Sequence, residues 1–342
     1  MKLKSLVILC VGSAFLASCG GGSSLFLESY APEEGALNLV KITDESNNSV
    51  IAGGALVPYV GGYASTQAGF CSDVRYAWGT NRLLSISPDG KKLAYCTRMN
   101  KQDNVMVRST GAQGLATQRT FRDVGSFSWG LDNNLYFSDV NGSNSYICSV
   151  NAEAGSMMKQ HTNGAVFDRD PQVTSDGKLV FFTRAGSGQQ GPTIWSLSRQ
   201  DGTLTSCARG YNVCLIPGNN DAFYCVRNAT SGRSEIWYVN FVKGEESLIL
   251  SDAKRSFSNP SLSPDGKWIV CQGNTVSSIT KKNNIDIFVV RTDGTNLTQL
   301  TYHPQQDVSP VFSRDGRSIY FISSRANKTQ SYNIWRMNFN MD

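Results

Sequence analysis

From about residue 80 onward the chain alternates short apolar runs with polar clusters rich in Asp, Gly and Ser. Leu93-Ala94-Tyr95-Cys96, Val180-Phe181-Phe182, Ile269-Val270-Cys271 and Ile319-Tyr320-Phe321-Ile322 are such runs. Each is too short for a helix and rich in β-branched and aromatic residues, so each predicts a buried strand. Each also follows a turn of one type: Ser87-Pro88-Asp89-Gly90, Thr174-Ser175-Asp176-Gly177, Ser263-Pro264-Asp265-Gly266 and Ser313-Arg314-Asp315-Gly316. Two degenerate copies fill the gaps, Gly130-Leu131-Asp132-Asn133 before Leu135-Tyr136-Phe137 and Pro217-Gly218-Asn219 before Ala222-Phe223-Tyr224-Cys225. The aligned position falls at 89, 131, 176, 218, 265 and 315, which gives spacings of 42, 45, 42, 47 and 50.

A second pattern repeats in phase with the first. Some 16 to 22 residues after each aligned position comes Val105-Met106-Val107, Ile147-Cys148-Ser149-Val150, Ile194-Trp195-Ser196-Leu197, Ile236-Trp237-Tyr238-Val239, Ile287-Phe288-Val289-Val290 or Ile334-Trp335-Arg336-Met337. Hairpin turns follow, such as Asp201-Gly202 and Asp293-Gly294, and then a further short strand such as Leu297 to Thr301. The unit is therefore strand, Asp-Gly turn, strand, loop, strand, turn, strand. Four strands repeated every 42 to 50 residues describe a propeller blade. An all-β, six-bladed β-propeller of four-stranded blades is expected. The sixth unit reaches Asn338 without a fourth strand, and an open blade edge is costly. The segment Leu37 to Thr43 matches the fourth-strand pattern, so an N-terminal strand is expected to close the ring; Val74 to Trp78 is the competing segment.

The repeated Ser-Pro-Asp-Gly-Lys unit with Asn333-Ile334-Trp335-Arg336-Met337 downstream resembles the WD-like repeats of TolB-type six-bladed propellers, as do Asp307 to Ser313 and Ile319 to Arg325. The resemblance covers roughly residues 80–340. It departs from TolB in one respect. The α/β domain of more than a hundred residues that precedes the TolB propeller has no counterpart in the short stretch between Cys19 and the first strand.

The first residues read as an address. Lys2 and Lys4 precede a 12-residue apolar run, Leu6 to Ala17, too short to span a bilayer but suited to a secretory signal. It ends in Leu16-Ala17-Ser18-Cys19, which resembles the lipobox of bacterial lipoproteins, where the cysteine is acylated. Residues 1–18 are expected to be a lipoprotein signal peptide, 19–36 a lipidated tether with the flexible Gly20-Gly21-Gly22-Ser23-Ser24, and 37–342 the propeller. The expected location is the bacterial cell envelope, the outer membrane where the host has two, with palmitate on Cys19 as the lipid anchor.

Charge adds mainly exclusions. A formal charge of +5, reduced to +3 without Lys2 and Lys4, is scattered and gives no nucleic-acid footprint. No Gly-x-Ser-x-Gly elbow is present, and His161 and His303 both fall in or just after fourth strands, where hydrogen-bonding roles outnumber acid–base ones. No enzyme activity is expected. Of nine cysteines, Cys10 leaves with the signal and Cys19 is lipidated, leaving an odd seven and no Cys-x-x-Cys. Cys207 and Cys214, across one turn, form the best-spaced disulfide pair.

Six or eight residues before the aligned position stand Asp123, Asp168, Asp170, Asn212, Asn259 and Asp307. In a propeller the first strand lines the channel, so these residues are expected to ring one mouth. There they would hold a peptide's basic groups or a hard cation such as Ca²⁺, or else cap turns. No other cofactor is implied. The reading is a monomeric, membrane-anchored, non-enzymatic propeller that binds a protein or peptide partner. The alternative is a carbohydrate- or small-ligand-binding propeller, lytic or not, that uses the channel mouth.

Overall fold

The structure, a computed structural model, describes residues 34, 37–44, 82–99, 102–111, 114–141, 144–153, 157–164, 166–185, 191–325 and 332–340. The signal segment, Cys19, Cys71 and the competing segment Val74 to Trp78 lie outside the described residues.

Six four-stranded antiparallel sheets form the blades. Blade 1 holds β2 (Leu84–Ile86), β3 (Lys92–Met99), β4 (Gln102–Ser109) and β5 (Thr117–Gln118). Blade 2 holds β6 (Val124–Trp129), β7 (Asn134–Asn141), β8 (Asn144–Asn151) and β9 (Lys159–Gln160). Blade 3 holds β10 (Asp168–Val173), β11 (Leu179–Arg184), β12 (Thr193–Ser198) and β13 (Leu204–Arg209). Blade 4 holds β14 (Tyr211–Ile216), β15 (Asn219–Asn228), β16 (Ser234–Asn240) and β17 (Glu245–Leu250). Blade 5 holds β18 (Phe257–Leu262), β19 (Trp268–Val276), β20 (Asn283–Arg291) and β21 (Thr298–Gln299). Blade 6 holds β22 (Asp307–Phe312), β23 (Ser318–Ser323) and β24 (Asn333–Asn338), and its fourth strand is β1 (Val40–Lys41).

The first strands touch one another in order, β2 to β6, β10, β14, β18, β22 and back to β2, so they form the inner ring. Every residue of β6 and β22 is buried, whereas the outer strands β13 and β17 are mostly exposed. The apolar core lies in wedges between blades, one main cluster per interface. Between blades 3 and 4, for example, Phe181 and Ile194 meet Val213, Phe223 and Val239. Burial on both faces is why these strands read as continuous apolar runs and not as alternating ones.

The Asp-Gly turns end the inner strands. In blade 1 the Ser87 hydroxyl donates to Asp89 Oδ1 at 2.6 Å and the Lys91 amide donates to the same oxygen at 3.0 Å. Gly90 sits at φ +73°, a left-handed conformation that explains the fixed glycine. Matching Asp–hydroxyl bonds recur at Thr174/Asp176, Ser263/Asp265 and Ser313/Asp315. The Ser87 and Lys91 bonds hold Asp89 below the usual carboxylate range, and the Lys178 amide and Thr174 hydroxyl lower Asp176 to about 2.

The ring closes as the sequence predicts. Val40 pairs with Arg336 and Lys41 with Trp335, antiparallel. Past the two-residue strand, the Ile42 amide donates to Ile334 O at 2.8 Å, and Thr43 Oγ1 donates to Asn333 Oδ1 at 2.8 Å and accepts from the Ile334 amide at 2.9 Å. Leu37 and Leu39 pack against the cluster around Trp335, while Ile42 enters the cluster between blades 6 and 1. A buried ion cluster reinforces the closure. Arg325 Nη2 bonds Asp307 and also reaches Glu34 Oε1 at 3.2 Å, with all three side chains fully buried.

Candidate functional site

The inner strands run from the deep end of the ring to the Asp-Gly turns, and the channel widens toward those turns into a cavity of about 360 Å³. Every blade contributes a wall: Leu84, Trp129, Val173, Leu215, Pro260 and Phe312 are one lining residue from each. Serines, Gln172, Arg82 and Arg314 interrupt this mainly apolar surface, and among the described residues no Asp or Glu lines it.

A belt of hydrogen bonds joins neighbouring blades below and around the cavity. Its origin is a bulge near the middle of the inner strands, seen as a register shift against the second strand in blades 2 to 6. At the bulge Asp170, Asn212, Asn259 and Ser309 all adopt φ near +50°. Non-glycine residues tolerate that region poorly, with Asp and Asn the least penalised, which accounts for the residue types at this offset. The Asp170 amide donates to Ser126 Oγ at 2.8 Å, and Asn212 Nδ2 donates to Asp170 Oδ2 at 3.1 Å. The Asn259 amide donates to Asn212 Oδ1 at 3.4 Å. Gln272 Oε1 then accepts from Asn259 Nδ2 at 3.1 Å and from the Ser309 amide at 2.9 Å. Blade 1 joins blade 2 where Ser85 Oγ accepts the Trp129 amide at 3.0 Å. Blade 6 joins blade 1 through Arg314, whose Nε donates to Ser87 O at 3.2 Å and whose Nη2 donates to Ile86 O at 3.1 Å.

A sequence model described as the TolB beta propeller domain matches residues 228–341. A protein TolB homolog of Chlorobium luteolum is 27% identical over 161 residues, covering 46% of this chain and 34% of its own. The Tol-Pal system protein TolB of Anaeromyxobacter dehalogenans is 27% identical over 213 residues, 59% of this chain and 45% of its own. The solved structure of a putative TolB from Agrobacterium tumefaciens superposes with a TM-score of 0.56 at 17% identity, covering 76% of this chain and 90% of that one. The ring resembles the TolB-type propellers. The chain spans between about a third and under half the length of the curated relatives it matches.

In this propeller the six residues singled out in the sequence divide into two groups, and none of them lines the cavity. Asp170, Asn212 and Asn259 come together in the belt, all buried, the first two bonded across blades and Asn259 to Gln272 of its own blade. Asp123, Asp168 and Asp307 occupy the start of their inner strands and point into the wedges. Asp123 Oδ1 accepts the Asp103 amide of blade 1 at 3.0 Å. Asp168 receives Arg184 Nε at 2.8 Å and Nη2 at 3.0 Å. Burial raises the Asp168 carboxyl above its usual value despite that cation. Burial likewise raises Asp307 to about 6, with Arg325 opposing. The expected ring of carboxylates at a mouth is thus replaced by acids already engaged, because the bulge after Arg169 sends positions 168 and 170 to different surroundings. Among the described residues no group of three or more His, Cys, Asp or Glu is placed to hold a metal ion.

Cys207 and Cys214 are both free thiols, which corrects the expected disulfide. Cys207 lies on the outermost strand of blade 3 and Cys214 on the innermost strand of blade 4, so the chain crosses the full blade radius between them. Of the histidines, His161 shares a hydrogen bond with Ser149 Oγ at 2.8 Å and stacks on Tyr136, and burial pushes its pKa down to about 4. His303 is fully buried, its Nδ1 accepting the Gln305 amide at 3.0 Å.

Sequence reasoning missed Arg82, Gln272 and Arg314. Arg314 stands inside a turn motif whose third residue was legible and whose second was not weighed. Arg82 lies between the two offsets, which in blade 1 hold Asn81 and Leu83.

Proposed function

We propose that this chain is a non-enzymatic propeller of the bacterial cell envelope whose channel cavity receives a segment of a protein or peptide partner. The supporting observation is the cavity itself: six blades supply one apolar wall with intermittent serines, which suits an extended peptide with alternating side chains. The curated relatives, one of them a protein of the Tol-Pal system, favour an envelope protein-binding role. Acylation of Cys19 would tether the ring to a membrane through the flexible Gly20 to Ser24 segment.

The test places a photo-crosslinking amino acid at Leu131, which lines the cavity and is 48% exposed, and at Leu248 on the outer edge, 49% exposed, as a control. One dominant protein adduct from Leu131, absent from Leu248, is the expected result. Equal or diffuse labelling from both positions would refute a channel-borne partner. For the anchor, Cys19→Ser should abolish palmitate labelling and release the chain from membranes, and labelling that persists would exclude this lipidation site.

A further inference from the structure

The floor of the cavity is built around one cation. Arg82 enters just ahead of β2, is 8% exposed, and spans the channel: its Nη2 donates to Val213 O at 3.0 Å on blade 4 and to Pro260 O at 3.0 Å on blade 5. Among the described residues no acceptor takes its Nε or Nη1 hydrogens. A guanidinium carries five N–H donors, so part of this buried cation faces the cavity with its hydrogens unspent. The carboxylate whose charge acts on Arg82 is Asp170, which is shared with Arg169 Nε at 3.8 Å and with Asn212. Burial opposes the charge on Arg82 and lowers its pKa, an opposition that an entering anion would relieve. The second lining cation, Arg314, already holds two backbone carbonyls. Cys214, the other titratable group of the wall, is kept as a neutral thiol by burial.

We propose that the channel floor is a carboxylate-recognition site, in which a single carboxylate of an extended peptide, its C-terminus or an acidic side chain, docks on Arg82 while the apolar wall takes the residues around it. This rests on the peptide-binding reading above and adds the chemistry that selects the peptide. The free edge of Arg82, a lining without acids among the described residues and a mainly apolar wall match a monoanion. A phosphate dianion is costlier to desolvate against such a wall than a carboxylate.

The test titrates the full chain with three acetylated peptides of one apolar sequence: one with a free C-terminal carboxylate, one with a C-terminal amide, and one amidated but carrying a single internal Glu. Binding is read by calorimetry and by protection of a Leu131→Cys thiol from N-ethylmaleimide, with Leu248→Cys, outside the cavity, as control. Binding by either carboxylate form, at least roughly tenfold tighter than the plain amide, is expected, and which form binds identifies the source of the carboxylate. Arg82→Gln should remove that preference and Arg82→Lys should keep part of it. Should Arg82→Gln fail to fold, the acid–amide comparison in the unaltered chain decides. Equal binding of acid and amide, or inorganic phosphate competing as well as the acid peptide, would overturn the carboxylate site. A Leu131 adduct obtained alongside acid–amide indifference would leave the peptide reading standing and remove only this inference. Acid-selective binding without any adduct would keep the carboxylate site and make a free peptide, not a protein, its occupant.

Discussion

Replacing Arg325 with methionine tests how the ring is held shut. Methionine keeps an unbranched stem against Phe321 and Trp335, whose rings lie 5.3 Å and 6.0 Å from the guanidinium carbon, and removes only the cation. Glu34 and Asp307 then remain fully buried without it. Breaking a buried pair from one side costs about 3–5 kcal/mol. With a urea m-value of about 3 kcal/mol per M, the midpoint should fall by about 1 M or more. The loss should depend on pH in a definite direction. Burial raises Asp307 to about 6 from an ordinary 3.8, so its neutral form suits the folded state and stability declines as pH rises from about 4 to 6. Without Arg325 the carboxyl moves higher still, and the decline extends further toward alkaline pH. The variant should therefore lie close to the unaltered protein at pH 4 and show its full deficit at pH 8. Adding Glu34→Gln and Asp307→Asn to Arg325→Met should recover much of the loss at pH 8, since neutral side chains of similar shape need no buried counter-charge. A deficit that is equal at both pH values, or a triple variant no better than the single one, would refute this account of the closure.

Asp286 offers a related measurement. Burial, and then the nearby Asp307 charge, raise it to about 8, so Asp286→Asn should gain stability relative to the parent as pH rises from 4 to 8, by up to about 4 kcal/mol at pH 7; parallel pH–stability curves would exclude it. Asp168→Asn should destabilise by about 2–3 kcal/mol in chemical melts, because it strands Arg184 from its two-point contact, whereas a gain in stability would favour the repelling carboxylate ring expected from sequence. Thermal melts of the full chain should be indifferent to mild reductants that reach Cys207, and a reductant-dependent midpoint would restore a disulfide there.

The blades were legible because their turns impose rigid chemistry. An Asp that accepts its neighbour's hydroxyl and a glycine at positive φ leave the same trace at four of the six inner-strand ends. The closing strand was legible for the complementary reason that blade 6 visibly lacked one. The site was less so. Asp168 and Asp170 stand two apart, which in a regular strand would put them on one face, but the bulge between Arg169 and Gln172 separates them. Their partners Arg184 and Asn212 come from the second strand and from the next blade, so no local window contains them. Cys207 and Cys214 look close for the same local reason and are parted by the radial crossing between blades.

The two-residue closing strand also sets an order of events. Thr43 meets Asn333, 290 residues further on, and Glu34 meets Arg325 at a separation of 291. The earliest part of the ring to be synthesised thus finds its partner only when almost the last part has emerged. Five blades can assemble as hairpins while the chain grows, each from its own contiguous stretch. The sixth cannot, and until it forms both ends of the array expose unmatched apolar wedges. Any helper that shields the nascent chain has to remain bound until about residue 338 appears, and truncated products should be captured by quality control as a class whatever their length.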